Sequence, residues 1–307
     1  MTPGRSTLVQ APDTPHREGM KRVLVGVDFS GGSLVALRWA AQLARTNGVP
    51  LQLVSTWEQP WWAFLPAPVN ITPVPSGVDL EPAIAQQLDD LVVRERVHDV
   101  ATRPHVVAEG GAAGVLTNLA DPDDTIVVGS RGHGAVRDTL LGSVSTRCAT
   151  TAPCPVVVVP SEEAATRDHG PVVVGIDGSA NSSAALEWAI DHTSEDSSIT
   201  VAAGWGVPML FGGEGTHLEV STALDSDRIR ATDASRAAAD LLLAADRKYD
   251  IVIEQSDARH LLTEQGHKAS LLVVGARGRG GMSYTLLGSV ATSLVHHPDC
   301  VVVVVPT

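Results

Sequence analysis

Short apolar runs alternate with longer amphipathic stretches along most of this chain. Runs rich in Val, Leu and Ile predict strands near 22–28, 50–56, 104–108, 125–129 and 155–159, and the stretches between them predict helices near 31–46, 79–101, 112–120 and 142–151. The pattern then resumes, with strands near 171–177, 199–205, 250–254, 270–275 and 300–305. These strands are apolar at successive rather than alternate positions, so both of their faces must be covered. That is the condition of a parallel sheet wrapped by helices.

The resumption is a repeat. Residues 23–30 (VLVGVDFS) return 149 positions later as 172–179 (VVVGIDGS), and 36–40 (ALRWA) return as 185–189 (ALEWA). Residues 126–132 (IVVGSRG) match 272–278 (LVVGARG), 140–144 and 286–290 both read LLGSV, and each copy closes on a valine strand followed by Pro160 or Pro306. A period this long is a whole domain, not a solenoid unit. The expected architecture is α/β, two tandem doubly wound domains at 21–160 and 171–307, with a flexible tail at 1–20 and a charged linker at 161–170. Proline-rich 57–75, with Trp61 and Trp62, and glycine-rich 208–215 read as long connections after the second strand of each copy, placed as lids, partner surfaces or packed flaps.

Composition narrows the function. No apolar run approaches the ~18 residues of a membrane span, and the first twenty residues lack the apolar core of a secretory signal. Three cysteines without metal-ligand spacing suit a reducing compartment, so a cytoplasmic protein with small buried thiols is expected. The formal charge is -13, and it is uneven: ten Lys and Arg face thirteen Asp and Glu in 21–160, against ten facing twenty in 161–307. Nucleic acid is excluded as a partner, because a phosphate backbone demands a basic face. Any phosphate bound here must be held by local geometry.

That geometry is offered by glycines. Gly129, Gly132 and Gly142-Ser143 follow the fourth strand of the first copy, and Gly275, Gly278 and Gly288-Ser289 repeat their spacing in the second. Glycines after a strand let backbone amides approach an anion, and a helix N-terminus adds unpaired amides and the positive dipole end. The plainer role is a tight turn with Ser143 and Ser289 as helix caps. Asp28 and Asp177 end the first strand of each copy, where a doubly wound sheet opens its crevice. There a carboxylate serves a ribose hydroxyl, an adenine amine or a phosphate-bound Mg²⁺, or it caps the next helix. Arg131, His133, Arg137, Arg277 and Arg279 lie in or beside the loops, as phosphate partners or as solvated cations. Trp39 and Trp188 read as core, Trp57 and Trp205 as core or adenine-stacking, and His296-His297 has no companion ligand for a metal.

With its intact glycine, two residues, glycine, nine residues, glycine-serine spacing in both copies, the chain resembles the universal stress protein family in its tandem, ATP-binding form. The resemblance runs from Lys21 onward. It implies five-stranded parallel sheets of order 3-2-1-4-5, paired within the chain through their last strands. It also implies ATP with Mg²⁺ in each domain. The implied contacts are Asp28, Ser30, Gly110, Gly129, Arg131, Gly132, Gly142, Ser143 and Val144, and Asp177, Ser179, Gly275, Arg277, Gly278, Gly288, Ser289 and Val290. One departure stands out: Gly110-Gly111 follows the third strand of the first copy, but Gln255-Ser256-Asp257 stands there in the second, so weaker binding is expected in the second domain.

The expected function is an ATP-binding regulatory protein of stress response, in which occupancy sets conformation or the choice of a regulatory protein partner. A homodimer of the two-domain chain is left open. The alternative is a slow ATPase or an adenylate-forming enzyme of a related fold. Against it, Leu34 and Val35 stand where the adenylating loop wants acidic and hydroxyl residues, and no lysine-bearing phosphate loop occurs.

Overall fold

The computed structural model describes residues 19–58, 77–100, 102–130, 142–167, 169–206, 217–279 and 287–306. The first half comprises β1 (Arg22–Gly26), α1 (Gly31–Asn47), β2 (Leu51–Trp57), α2 (Gly77–Arg94), β3 (Val106–Glu109), α3 (Ala112–Leu119), β4 (Asp124–Gly129), α4 (Ser143–Thr151) and β5 (Val156–Val159). A short helix, α5 (Glu162–Ala165), leads to the second half. That half comprises β6 (Val172–Gly175), α6 (Ala180–His192), β7 (Ile199–Trp205), α7 (His217–Ala244), β8 (Tyr249–Gln255), α8 (Ala258–Gly266), β9 (Leu271–Gly275), α9 (Ser289–His296) and β10 (Val301–Val305).

Among the described residues the strands form one ten-stranded sheet of order β3-β2-β1-β4-β5-β10-β9-β6-β7-β8. Pairing is parallel within each half and antiparallel where β5 meets β10, with Val156, Val157 and Val158 opposite Val304, Val303 and Val302. The successive apolar residues of each strand go to opposite faces. Val157, Val159, Val301 and Val303 join one core with Leu37, Leu91, Leu186 and Leu242 of α1, α2, α6 and α7. Val156, Val158, Val302 and Val304 join a second core with Leu116, Cys148, Leu261 and Leu294 of α3, α4, α8 and α9. A fully buried valine contributes roughly 1.5–3 kcal/mol over an exposed one, so this seam is as much interior as either half. Asn47 Oδ1 and His192 Nδ1, 2.8 Å apart and buried, add a polar tie between α1 and α6.

Three elements differ from the sequence pattern. The helix expected at 79–101 ends at Arg94, because Arg96 turns left-handed (φ 55°) and the Val97 amide donates back to the Val92 carbonyl. Buried Val97 and Val100 extended the apolar periodicity past the true end. Met20, assigned to the tail, is buried against the core. The charged linker contains α5, capped by the Ser161 hydroxyl, with Ala164 buried. Glu162 there pairs with Arg38 of α1 at 2.6 Å, and Arg167 donates to the carbonyls of Gly266, His267 and Ala269 in the second half. Residues 1–18 and the connections at 59–76 and 207–216 lie outside the described residues.

The halves anchor the start of their sheets differently. Arg22 of β1 donates twice to Asp124 of β4, at 2.8 and 3.0 Å, and once each to Gln52 Oε1 and the Leu119 carbonyl. In the second half Pro171 and Ser270 take those positions, and the Ser270 hydroxyl donates to the Gly170 carbonyl. Cys148, Cys154 and Cys300 are free and buried, and burial pushes each thiol up to about 12, so they remain protonated packing groups.

The Arg22 and Asp124 side chains are only 11% and 2% exposed. Removing one partner therefore strands a charge, and Asp124→Ala is expected to lower unfolding stability by about 3–5 kcal/mol in a urea titration. A loss below about 1 kcal/mol is the value of a solvated pair and would contradict the burial described.

Candidate functional site

In each half the strand order turns back beside the first strand, whose carboxyl end is where a doubly wound sheet places its crevice. The Val27 amide donates to Val54 and the Ile176 amide to Ala202, which carries strand pairing up to Asp28 and Asp177. The chain then turns left-handed, at Phe29 (φ 61°) in the first half and Gly178 (φ 79°) in the second. This bend lets each aspartate fold over the coming helix. Asp28 Oδ1 accepts the Ser30 amide at 3.0 Å and its hydroxyl, and Asp177 Oδ1 accepts the Ser179 amide at 2.9 Å. The two serines are the N-caps, their hydroxyls accepting from the Ser33 and Ser182 amides. The aspartates thus hold the turn, and the capping of α1 and α6 falls to Ser30 and Ser179.

The glycine loops start alike in both halves. Gly129 and Gly275 end β4 and β9, and the next amides, Ser130 and Ala276, donate to the Val159 and Val305 carbonyls at 2.9 and 2.8 Å. The loops end at Gly142 and Gly288, which are themselves the N-caps of α4 and α9. Neither helix start has a side-chain cap, whereas α1, α5, α6 and α8 are capped by Ser30, Ser161, Ser179 and Asp257. A Cβ at Gly142 would run into the Ser130 carbonyl oxygen, so both ends of the loop meet there backbone to backbone. Ser143 and Ser289 occupy the first helical position and are exposed, not capping, while Val144 and Val290 pack partly into the core below. Arg131 and Gly132, with His133 and Arg137, lie outside the described residues.

At the third strand, Gly110 takes φ 129° and donates its amide to the Trp57 carbonyl, and Gly111 caps α3 without a side chain. In the second half Asp257 caps α8 by accepting from the Arg259 amide at 2.8 Å. The missing glycine is compensated on the neighbouring strand: a Cβ on Gly204 would lie 2.8 Å from the Ser256 carbonyl oxygen. Trp57 and Trp205 are partly buried at equivalent strand ends, Trp188 is buried, and Trp39 is partly buried against the same core.

In the second half the structure brings Asp177 and Gly278 together. The Arg279 amide donates to Asp177 Oδ2 at 3.1 Å, and a Cβ on Gly278 would sit 2.6 Å from that oxygen. Burial pushes the Asp177 carboxyl upward, but donors from Ser179, the Arg279 amide and Ser182 outweigh it and hold the group below the ordinary range. Asp227 of α7 joins the same cluster, accepting from the Gly206 amide at 2.8 Å and pairing with Arg279 and Arg230. No sequence motif marked Asp227. Its spacing to Arg230 repeats that of Asp225 to Arg228 and Asp233 to Arg236, the look of an ordinary solvated helix face. Arg277 is exposed and lines a cleft of about 160 Å³ between the halves, with Thr150, Thr151 and Pro153 on one side and Asn181 and Pro306 on the other.

Residues 19–160 and 169–306 each match the model of the universal stress protein family. A universal stress protein of Mycolicibacterium smegmatis is 30% identical over 286 residues, covering 92% of this chain and 96% of its own. One from Mycobacterium tuberculosis is 32% identical over 315 residues, covering 92% and 94%. Among solved structures, a universal stress protein from Archaeoglobus fulgidus superposes with a TM-score of 0.65 at 16% identity, over 93% of this chain and 98% of that one, a likeness of fold.

Two outcomes follow from the crevice geometry. Gly178→Ala has room, its nearest neighbour being the Ala234 Cβ at 3.4 Å, but keeps a left-handed backbone, so a stability loss of about 1 kcal/mol is expected by chemical denaturation. A neutral result would mean that the turn relaxes. Because the folded Asp177 carboxyl is held low, its contribution is complete above the ordinary carboxylate value of about 4 and fades as pH falls through its lower folded value. Asp177→Asn should flatten the acid limb of a stability–pH profile below about pH 4, and an unchanged limb would contradict the shift.

Proposed function

Because the chain belongs to the universal stress protein family, a stress-response group, we propose that it is an ATP-binding regulatory protein whose nucleotide occupancy sets conformation and partner choice. The observation that carries this reading is the pair of helix starts at Gly142 and Gly288, which lack the side-chain cap that α1 and α6 have. An N-terminus of this kind, at the end of a glycine loop and beside a strand-end carboxylate, suits a phosphate chain. Ser143 and Ser289, exposed at the first helical position, would donate to the same phosphates, and Asp28 and Asp177 would face the nucleoside.

ATP would bring four negative charges to a chain of net charge -13, so the amides and the loop arginines must offset them locally. Mg²⁺ belongs to the proposal as a companion of the phosphates: among the described residues no group of three metal-binding side chains is assembled, and this ion retains waters and phosphate oxygens as ligands. Arg131 and Gly132 complete the proposed first site by their place in the sequence. A route from occupancy to shape is supported by α4, which starts at the first crevice and whose last turn, Thr150 and Thr151, lines the cleft at Arg277 of the second half.

The first crevice is the stronger site in this reading, since Gly110 and Gly111 add no side chain of their own to its third turn. Calorimetric titration with MgATP is expected to show binding that falls by about tenfold or more in Asp28→Ala and less in Asp177→Ala. Equal losses would refute the asymmetry, and absence of heat together with absence of co-purifying nucleotide by mass spectrometry would refute the function.

A further inference from the structure

The second crevice contains a cross-link centred on Asp227. Asp227 gathers three segments at the carboxyl ends of the strands: α7, on which it stands, the turn after β7 through the Gly206 amide at 2.8 Å, and the glycine loop after β9 through the Arg279 guanidinium at 3.3 Å. Its side chain is only 14% exposed, and Arg230 braces it from one turn further along. The same Arg279 places its amide on Asp177 Oδ2, and Gly278 lies so close to that oxygen that one added carbon would not fit. The loop is therefore drawn down onto the carboxylate that the crevice offers to a ligand. Counting back from the left-handed turns at Arg96 and Asp246, which end α2 and α7 in the same way, puts Gly77 opposite Asp227. Glycine has no carboxylate, so the residue at Asp227's own place in the first half supplies none.

We infer that Asp227 and Arg279 form an anion-exchange latch: the second crevice rests closed, and a ligand opens it by giving Arg279 a phosphate in place of the Asp227 carboxylate. The inference rests on the phosphate-binding reading of the crevices and adds the condition under which the second one fills. It also selects the ligand. A nucleoside without phosphates has nothing to exchange for Asp227, whereas a polyphosphate supplies the competing charge and a planar guanidinium accepts either partner with similar geometry. Asp227, bound to Gly206 and Arg230, stays behind without being left unpaired. That makes release inexpensive.

The test uses the full chain and two variants. Asp227→Asn keeps an acceptor for the Gly206 amide but loses the charge that holds Arg279. Without ligand, hydrogen exchange over residues 276–279 should speed up, and MgATP titration should show the weaker of two sites tightening by about three- to tenfold, the scale of one partly exposed ion pair, with the stronger site unchanged. Arg279→Gln also opens the loop, so exchange rises, but it removes the group that receives the phosphate, and the weaker site should gain nothing. Unchanged exchange in both variants, or a weaker site that does not tighten in Asp227→Asn while the stronger site still binds, overturns the latch alone. A chain that binds MgATP at neither site, in wild type and variants alike, overturns the latch together with the function on which it rests.

Discussion

The antiparallel ladder between β5 and β10 is the constraint from which the rest of the molecule follows. Each half on its own is a parallel sheet that ends in a bare valine strand. Joining the two ends covers both, and it also reverses the direction of one half relative to the other. The carboxyl ends of β1 and β4 therefore point away from those of β6 and β9, and the two candidate sites lie at opposite edges of one continuous sheet. The same reversal brings the last turn of α4 against the loop that follows β9. The loop after β9 thus touches the far end of a helix whose start belongs to the candidate site of the first half.

Much of this was legible from sequence because it depends on burial. Residues 156–159 and 301–305 are valine throughout, and only a strand covered on both faces makes use of that. The parallel α/β class of each half follows from the same kind of evidence. The candidate site was legible as far as backbone geometry demands particular residues: glycine at 142, where another backbone approaches. What escaped was set by single events that leave no period. The left-handed residue at Arg96 ends α2 within an apolar pattern that runs on. Ser161 starts a helix inside a charged linker. Asp227 reaches Arg279 across fifty-two residues from a helix face that resembles its neighbours. Such contacts are made by three-dimensional coincidence, and the local sequence has no reason to announce them.

The two copies also show how differently one backbone can be satisfied. A left-handed residue after the first strand is Phe29 in one half and Gly178 in the other, the first offset by packing on the core and the second by the absence of a Cβ. The start of the sheet is fixed by a buried ion pair in one half and by Ser270 with Pro171 in the other. The close turn after the third strand has its glycines on the turn itself in the first half and on the adjoining strand, as Gly204, in the second. Duplicated halves retain the conformation and exchange the chemistry that stabilises it.

A severed half would carry an open row of valine amides and carbonyls, the kind of edge that recruits any extended chain it meets. The stretch from Ser161 to Pro171 prevents this by keeping the correct counterpart tethered nearby, at an effective concentration on the order of millimolar for so short a connection. Fusion into one polypeptide thus makes the pairing of the two borders an intramolecular step, open from the moment β10, the last strand of the chain, is in place.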